Sequence, residues 1–140
     1  MEVKQLDDTL SVRGQIAPAE VAEAAAMGFR SIICNRPDGE QPHQPDAEAI
    51  AAAAGAAGME FCHIPIVPGQ ITPEKIAAFE AALKDLPGPI LAYCRTGTRS
   101  AMLWGLHKAP ELGADGAMQA AADAGCDIAQ ARPLIEQRAS

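Results

Sequence analysis

The sequence predicts an α/β sandwich, a small and mainly parallel sheet flanked by helices. Three observations carry that prediction. Short apolar runs alternate with helix-length segments in the order β-α-β-α-β-α-β-loop-α-α-α. Two of the runs, Phe29 to Asn35 and Ile90 to Tyr93, are apolar enough to be covered on both faces, as strands of a parallel sheet are. Alanine is abundant while aromatic residues make up only 4%, which suits closely packed helices better than an all-β sandwich. With 140 residues and no repeat, low-complexity tract or linker, residues 1–140 read as one domain large enough for its own core.

Thr9 to Ile16 alternates well enough for the first strand. Pro18 then stands at a first helical position, and Glu20 and Glu23 fall in the early turns, where carboxylates suit the dipole. The helix runs to about Met27, with Gly28 as its C-cap, and Phe29 to Asn35 is the second strand. From Asn35 to Pro45, three prolines and a glycine exclude helix and central strand. This is a long polar loop leaving the carboxyl end of a strand, the edge at which open parallel sheets bind ligands. Asp46 caps the next helix, an alanine stretch to Gly58. Met59 to Val67 is the third strand, and Pro65 marks where its far end leaves the ladder.

Thr72-Pro73-Glu74 starts a helix whose apolar stripe is Ile76, Phe79, Leu83 and Leu86, with Glu80 and Lys84 paired on the other side. Leu86 to Pro89 ends that helix and launches the strand Ile90 to Tyr93. An apolar, central helix is expected from Ser100 to Ala109, stopped by Pro110. A pair of helices follows, Ala114 to about Ala124 and Asp127 to Gln137.

A net charge of −7 argues against nucleic acid as a partner, because a phosphate-binding face needs clustered Lys and Arg. No apolar run approaches the roughly 20 residues of a membrane span, and Met1 to Asp8 lacks the basic start and apolar core of an export signal. The four cysteines, Cys34, Cys62, Cys94 and Cys126, are widely and irregularly spaced, which favours reduced thiols in a cytoplasmic protein. With no Cys-x-x-Cys and no histidine cluster, neither a metal site nor another cofactor is expected. Three of the thiols read as small buried apolar residues.

Cys94 is set apart by its neighbours. Cys94-Arg95-Thr96-Gly97-Thr98-Arg99-Ser100 follows a strand and opens a helix, so successive backbone N–H groups and a helix N-terminus make a bowl for an anion. N–H groups, helix dipole and guanidinium are the influences that turn a thiol into a nucleophilic thiolate. Gly97 supplies positive φ, Arg99 can grip two oxygens at once, and Thr96, Thr98 and Ser100 offer hydroxyls to the sulfur or a bound oxyanion. Cys94 and Arg99 are the candidate catalytic pair, and Arg95, Thr96, Gly97, Thr98 and Ser100 the candidate anion-binding residues. Asn35, Arg36 and Asp38, on the loop after the second strand, are candidate accessory residues: Asp38 as an acid, Arg36 as a partner for a donor's carboxylate. Cys34 is a weaker candidate as a resolving thiol, and His63 reads as a satisfied strand histidine.

The Cys94-to-Ser100 loop resembles the Cys-x4-Arg loop of rhodanese-type sulfurtransferases. Together with Gly14-Gln15-Ile16, Asn35 to Glu40, His63-Ile64-Pro65 and Pro68 to Pro73, it makes the chain similar, over residues 3 to 137, to the DUF442 family. Those proteins are beta-lactamase-hydrolase-like phosphatase or sulfurtransferase domains. The resemblance implies a dual-specificity tyrosine-phosphatase-like fold, and a persulfide dioxygenase or rhodanese as a possible partner. Tyrosine-phosphatase loops carry His-Cys-x5-Arg, whereas this chain has Tyr93 before the cysteine and four residues between Cys94 and Arg99. The segment Val67 to Pro73, where that fold often carries its acid, has no Asp or Glu. Both departures favour sulfur transfer from a small-molecule sulfur donor such as thiosulfate or a persulfide to a thiol or cyanide. A phosphatase using a cysteinyl-phosphate is the alternative, and a non-catalytic sulfide or oxyanion sensor the third reading.

Overall fold

Four parallel strands and one short antiparallel edge strand form the sheet. The computed structural model describes all 140 residues, Met1–Ser140. Strands β2 (Leu10–Arg13), β3 (Ser31–Cys34), β4 (Glu60–His63) and β5 (Ile90–Tyr93) run parallel, and β1 (Lys4–Gln5) pairs antiparallel with β2, in the order β1-β2-β5-β3-β4. Every residue of the central strands β3 and β5 is buried, and the buried Ser31 hydroxyl is satisfied by donating to Pro87 O at 2.7 Å.

Alternation along the strands divides the core. Leu10, Val12, Ile33, Ile90 and Ala92 pack with α3 (Pro73–Asp85), α4 (Thr98–Asp123) and α5 (Arg132–Ala139). Ile32, Cys34, Leu91 and Tyr93 pack with α1 (Val21–Ala26) and α2 (Ala47–Ala56) on the opposite face. Trp104 of α4 is 2% exposed and donates its indole N–H to Asp7 Oδ2 at 2.9 Å, which satisfies the polar atom of a large buried ring.

The predicted helix starts form. Asp46 Oδ1 accepts the Ala49 N–H at 2.8 Å, Thr72 Oγ1 that of Lys75 at 3.3 Å, and Pro18 opens a 3₁₀ turn leading into α1. Three expectations are corrected. The polar strand β1 has no apolar pattern of its own; its register on β2, Lys4 opposite Val12, makes it a strand. As expected, β4 leaves the ladder before Pro65: its pairing with β3 ends at His63, and the departing segment is tied down by the Ile64 N–H on Cys34 O at 2.8 Å and the Ile66 N–H on Asn35 O at 3.0 Å.

Pro110 does not stop α4, which starts at Thr98 and breaks only at Gly113, where φ is 76° and ψ 166°. The missing Pro110 N–H leaves the Leu106 carbonyl without its helical donor, and Arg138 Nε of α5 donates to it at 3.3 Å. Glu80 holds that arginine at 3.1 Å and also takes His107 Nδ1 at 2.9 Å, so the expected Glu80–Lys84 pair is replaced by contacts between helices. No helix is long and apolar enough to cross a membrane.

Because β2 to β5 are parallel, the segments after them, residues 14–17, 35–46, 64–72 and 94–97, gather at one edge of the sheet.

Candidate active site

The loop between β5 and α4 is pinned by backbone contacts on its β2 side. The Cys94 N–H donates to Arg13 O at 3.4 Å, and the Gln15 N–H to Arg95 O at 3.2 Å. A Cβ on Gly14 would stand 2.9 Å from Arg95 O, so only glycine lets the two backbones lie this close. Gly97 has a φ of +92°, and a Cβ there would meet the Arg13 backbone at 3.1 Å. That turn aims the Gly97 N–H at Cys94 Sγ, 3.0 Å away, at the start of α4. A peptide donor and a helix N-terminus on one sulfur suit negative charge there. Cys94 itself is wholly buried at the base of the loop.

Arg99 is held on the other side of the loop. Its Nη1 donates to Glu40 Oε2 at 2.8 Å and Ile66 O at 2.7 Å, and its Nη2 to Glu40 Oε1 at 2.9 Å. Arg36, 2% exposed, donates through Nε to the same Glu40 Oε1 at 2.8 Å, through Nη1 to Gln15 Oε1 at 2.9 Å and through Nη2 to Gln41 Oε1 at 3.0 Å. One carboxylate is therefore shared by two guanidiniums, which leaves the cluster one positive charge in excess. The Arg99 bond holds the Glu40 carboxyl below its ordinary range against the cost of burial, with Arg36 acting in the same direction. Burial opposes the charge on Arg99, but the Glu40 contact and then the nearby Cys94 outweigh it and raise its pKa.

The structure brings Cys94, Arg99, Asn35 and Arg36 to one place and changes the roles of others. Asn35, wholly buried, donates through Nδ2 to Ile64 O at 3.0 Å and accepts the Ser100 hydroxyl at 2.8 Å. Ser100 Oγ is thus committed to bracing the loop, in correction of the expectation that it serves the sulfur or an oxyanion. The Thr96 hydroxyl donates to Thr98 Oγ1 at 3.1 Å, which leaves the Thr98 hydroxyl proton uncommitted. Arg95 and Thr96 are exposed, and the Arg95 side chain makes no hydrogen bond or ion pair within the chain.

Asp38 is exposed, and its Oδ1 accepts the Ala47 N–H at 2.8 Å, capping α2 as a turn aspartate does. His63 bonds Arg36 O through Nε2 at 3.0 Å, as a satisfied strand histidine. Cys34 donates to Arg36 O at 3.4 Å, and burial raises its pKa, which makes it a poor resolving thiol. Burial, followed by Cys34, also pushes the Tyr93 phenol up. All four cysteines are free, and no three His, Cys, Asp or Glu side chains are gathered as metal ligands would be.

Three functional residues escape a linear reading: Gly14, Gln15 and Glu40. Gly14-Gln15 and Glu40 lie in stretches that the family resemblance singles out. Nothing in their local pattern names their partners, 21 residues away for Gln15 and Arg36 and 59 for Glu40 and Arg99.

This geometry agrees with what the chain is similar to. The sequence profile of the beta-lactamase hydrolase-like protein, phosphatase-like domain, matches residues 2–111. A beta-lactamase hydrolase-like protein of Agrobacterium fabrum is 39% identical over 109 residues, which are 78% of this chain and 25% of that protein. The chain thus spans about a quarter of the length of the curated relatives it matches. A crystal structure of a candidate phosphatase from Neisseria meningitidis superposes with a TM-score of 0.89 at 33% identity, covering 99% of both chains. The core catalytic domain of the PP-IP phosphatase SIW14 from S. cerevisiae, at 14% identity and a TM-score of 0.73, covers 96% of this chain and 83% of its own and shares the fold. With the loop, the sheet and these likenesses in agreement, the chain belongs to the phosphatase-like domain family of the beta-lactamase hydrolase-like proteins.

Proposed function

We propose that this domain is a sulfurtransferase that carries a sulfane sulfur on Cys94. One observation supports this above the others: neither the loop after β3 nor the loop after β4 offers a carboxyl group placed to give up a proton at Cys94. Glu40 is kept ionised between Arg36 and Arg99, Asp38 caps α2, and residues 67–73 contain neither Asp nor Glu. Hydrolysis of a phosphate ester needs an acid for the departing alkoxide, worth about 10²–10⁴ in rate. Sulfur transfer from thiosulfate does not. The Cys94 thiolate attacks the outer sulfur, the S–S bond breaks, and sulfite leaves with the electron pair. An acceptor thiol or cyanide then attacks the sulfur held on Cys94 and returns it to thiolate. The loop's N–H groups and Arg99 stabilise the anionic persulfide between the two steps.

A second reading, a phosphatase acting through a cysteinyl-phosphate, is favoured by the family profile and the phosphatase-like neighbours, which speak for it more directly than for sulfur transfer. Asp38 is then its acid. Wild type, Cys94→Ser and Asp38→Asn, each given thiosulfate with cyanide and, separately, an aryl phosphate, decide between them. Sulfur transfer predicts a mass gain of one sulfur atom on Cys94, activity abolished in Cys94→Ser and changed less than about twofold in Asp38→Asn. Aryl-phosphate hydrolysis lost in both variants, with no sulfur adduct, establishes the second reading instead.

A further inference from the structure

Residues 36–45 carry the Glu40 clamp but have almost no backbone structure of their own. They make a single backbone–backbone hydrogen bond, from the Gln44 N–H to Gln41 O at 3.4 Å, and none of them belongs to either half of the core. Gly39 and His43 turn the chain at φ of 75° and 62°, and for His43 this left-handed conformation has to be held by its surroundings. A segment so free of ladder and core would ordinarily open and close locally. A carboxylate that must face two guanidiniums at once cannot ride on a moving backbone.

The Gln44 side chain supplies what the backbone lacks. Its Oε1 accepts the N–H groups of Glu40 at 3.0 Å and Gln41 at 3.2 Å, and its Nε2 donates to Pro37 O at 2.9 Å. One half-buried carboxamide therefore ties three peptide groups into a closed turn. Each end is fixed by what it faces, since two N–H donors need the oxygen and a carbonyl needs the nitrogen. A glutamate there could accept but not donate, and an asparagine falls one methylene short. The two N–H groups belong to the residues whose side chains make the clamp. Glu40 takes Arg99 through both Nη atoms and Arg36 through Nε, and Gln41 Oε1 takes Arg36 Nη2 at 3.0 Å.

We infer that Gln44 is a positioning residue of the active site: it holds the backbone of Glu40 and Gln41 so that their side chains fix Arg36 and, through Glu40, Arg99. Gln44 makes no hydrogen bond to Cys94 or Arg99, so it acts through the clamp alone. The inference goes beyond the choice between sulfur and phosphoryl transfer, because either reaction needs Arg99 held in place.

NMR of the guanidinium groups near neutral pH tests it without turnover. A guanidinium that rotates freely gives one averaged Nη signal, and one gripped at both Nη atoms gives two. The wild type should show separate Arg99 signals, assigned by their loss in Arg99→Lys. In Gln44→Met, which keeps the reach of the side chain and none of its hydrogen bonds, they should broaden and merge. A mere loss of stability would leave the folded molecule's signals separate. Turnover of thiosulfate with cyanide or of an aryl phosphate, whichever the wild type catalyses, should fall about three- to tenfold in Gln44→Met. Added to Glu40→Gln, the same substitution should cost nothing further, because residues acting through one contact are not additive. Should Gln44→Met fail to fold, Gln44→Asn is read in the same way. An averaged Arg99 signal in the wild type, separate signals in a folded Gln44 variant, or an undiminished loss on top of Glu40→Gln overturns the inference. If neither substrate is turned over, the guanidinium spectra decide alone, so a failed reaction assignment and a failed role for Gln44 give different results.

Discussion

The six residues from Cys94 to Arg99 have two unlike halves. One is locked: Cys94 is wholly buried with its sulfur on the Gly97 N–H, and Arg99 is fastened to Glu40 and Ile66. The other is open, with Arg95 and Thr96 exposed and the Arg95 guanidinium unpaired. Their different surroundings produce the contrast. The locked residues are buried against the segments after β2, β3 and β4, where any unpaired charge or dipole would be costly, so each polar side-chain atom has a partner. The open residues face solvent, where a guanidinium needs none. The locked half sets the chemistry at the sulfur, and the open half meets whatever approaches it.

Breaking the locked half has the larger effects. Glu40→Gln leaves two largely buried guanidiniums without their shared carboxylate. It should destabilise the fold by roughly 2–4 kcal/mol and lower turnover about 10–100-fold. Urea unfolding measures the first, and kcat with thiosulfate and cyanide the second. An unchanged kcat shows that Arg99 needs no clamp.

Next comes Gly14→Ala, whose Cβ would press on Arg95 O. Because the obstacle is backbone on both sides, the loop itself must shift. About 1–3 kcal/mol of stability and a comparable share of the transition-state stabilisation should be lost. Retention of full activity shows that Cys94 tolerates movement of its loop.

The pH dependence sharpens the comparison through Glu40 alone. Its carboxyl titrates below the ordinary value of 4.5 in the folded protein, chiefly because Arg99 holds it ionised. The folded state therefore takes up that proton less readily than the unfolded chain. The clamp's contribution to stability is complete above that ordinary value and is lost as pH falls through the lower, folded-state one. Thermal melting from about pH 6 to pH 3 should show an acid limb in the wild type that is shallower in Glu40→Gln. Identical limbs remove Glu40 from the account. The smallest effect belongs to the open half. Arg95→Ala should raise KM for an anionic donor about two- to fivefold with kcat unchanged, because a solvent-exposed charge contributes little. An equal fall in kcat would move Arg95 into the locked half.

Much of the molecule is legible locally. The strands β3 and β5 announce themselves as short, mainly apolar runs, and Asp46, Thr72 and Pro18 mark their helix starts by residue type. The Cys-x4-Arg spacing marks the candidate site, and Gly97 takes the left-handed turn expected of it. The errors share one cause. Pro110 reads as a helix stop because its cost is local, while its compensation, Arg138 on the Leu106 carbonyl, comes from 32 residues away. Glu80 reads as a partner for Lys84 one turn on, and is drawn instead to His107 and Arg138 on packed helices. Ser100 reads as a hydroxyl for the sulfur, and its donor is taken by Asn35, 65 residues earlier.

The amino-acid sequence by itself determined the α/β sandwich, the strand–turn–helix around Cys94 and the absence of an acid between Val67 and Pro73, since each is written in neighbours a few bonds apart. Tertiary structure alone decided that Glu40 would clamp Arg99, that Gly14 would touch Arg95 and that Asp38 would cap a helix. Parallel strands deliver their carboxyl ends to one edge only after the crossovers between them have folded. The charges that meet there are matched by geometry rather than by spacing along the chain.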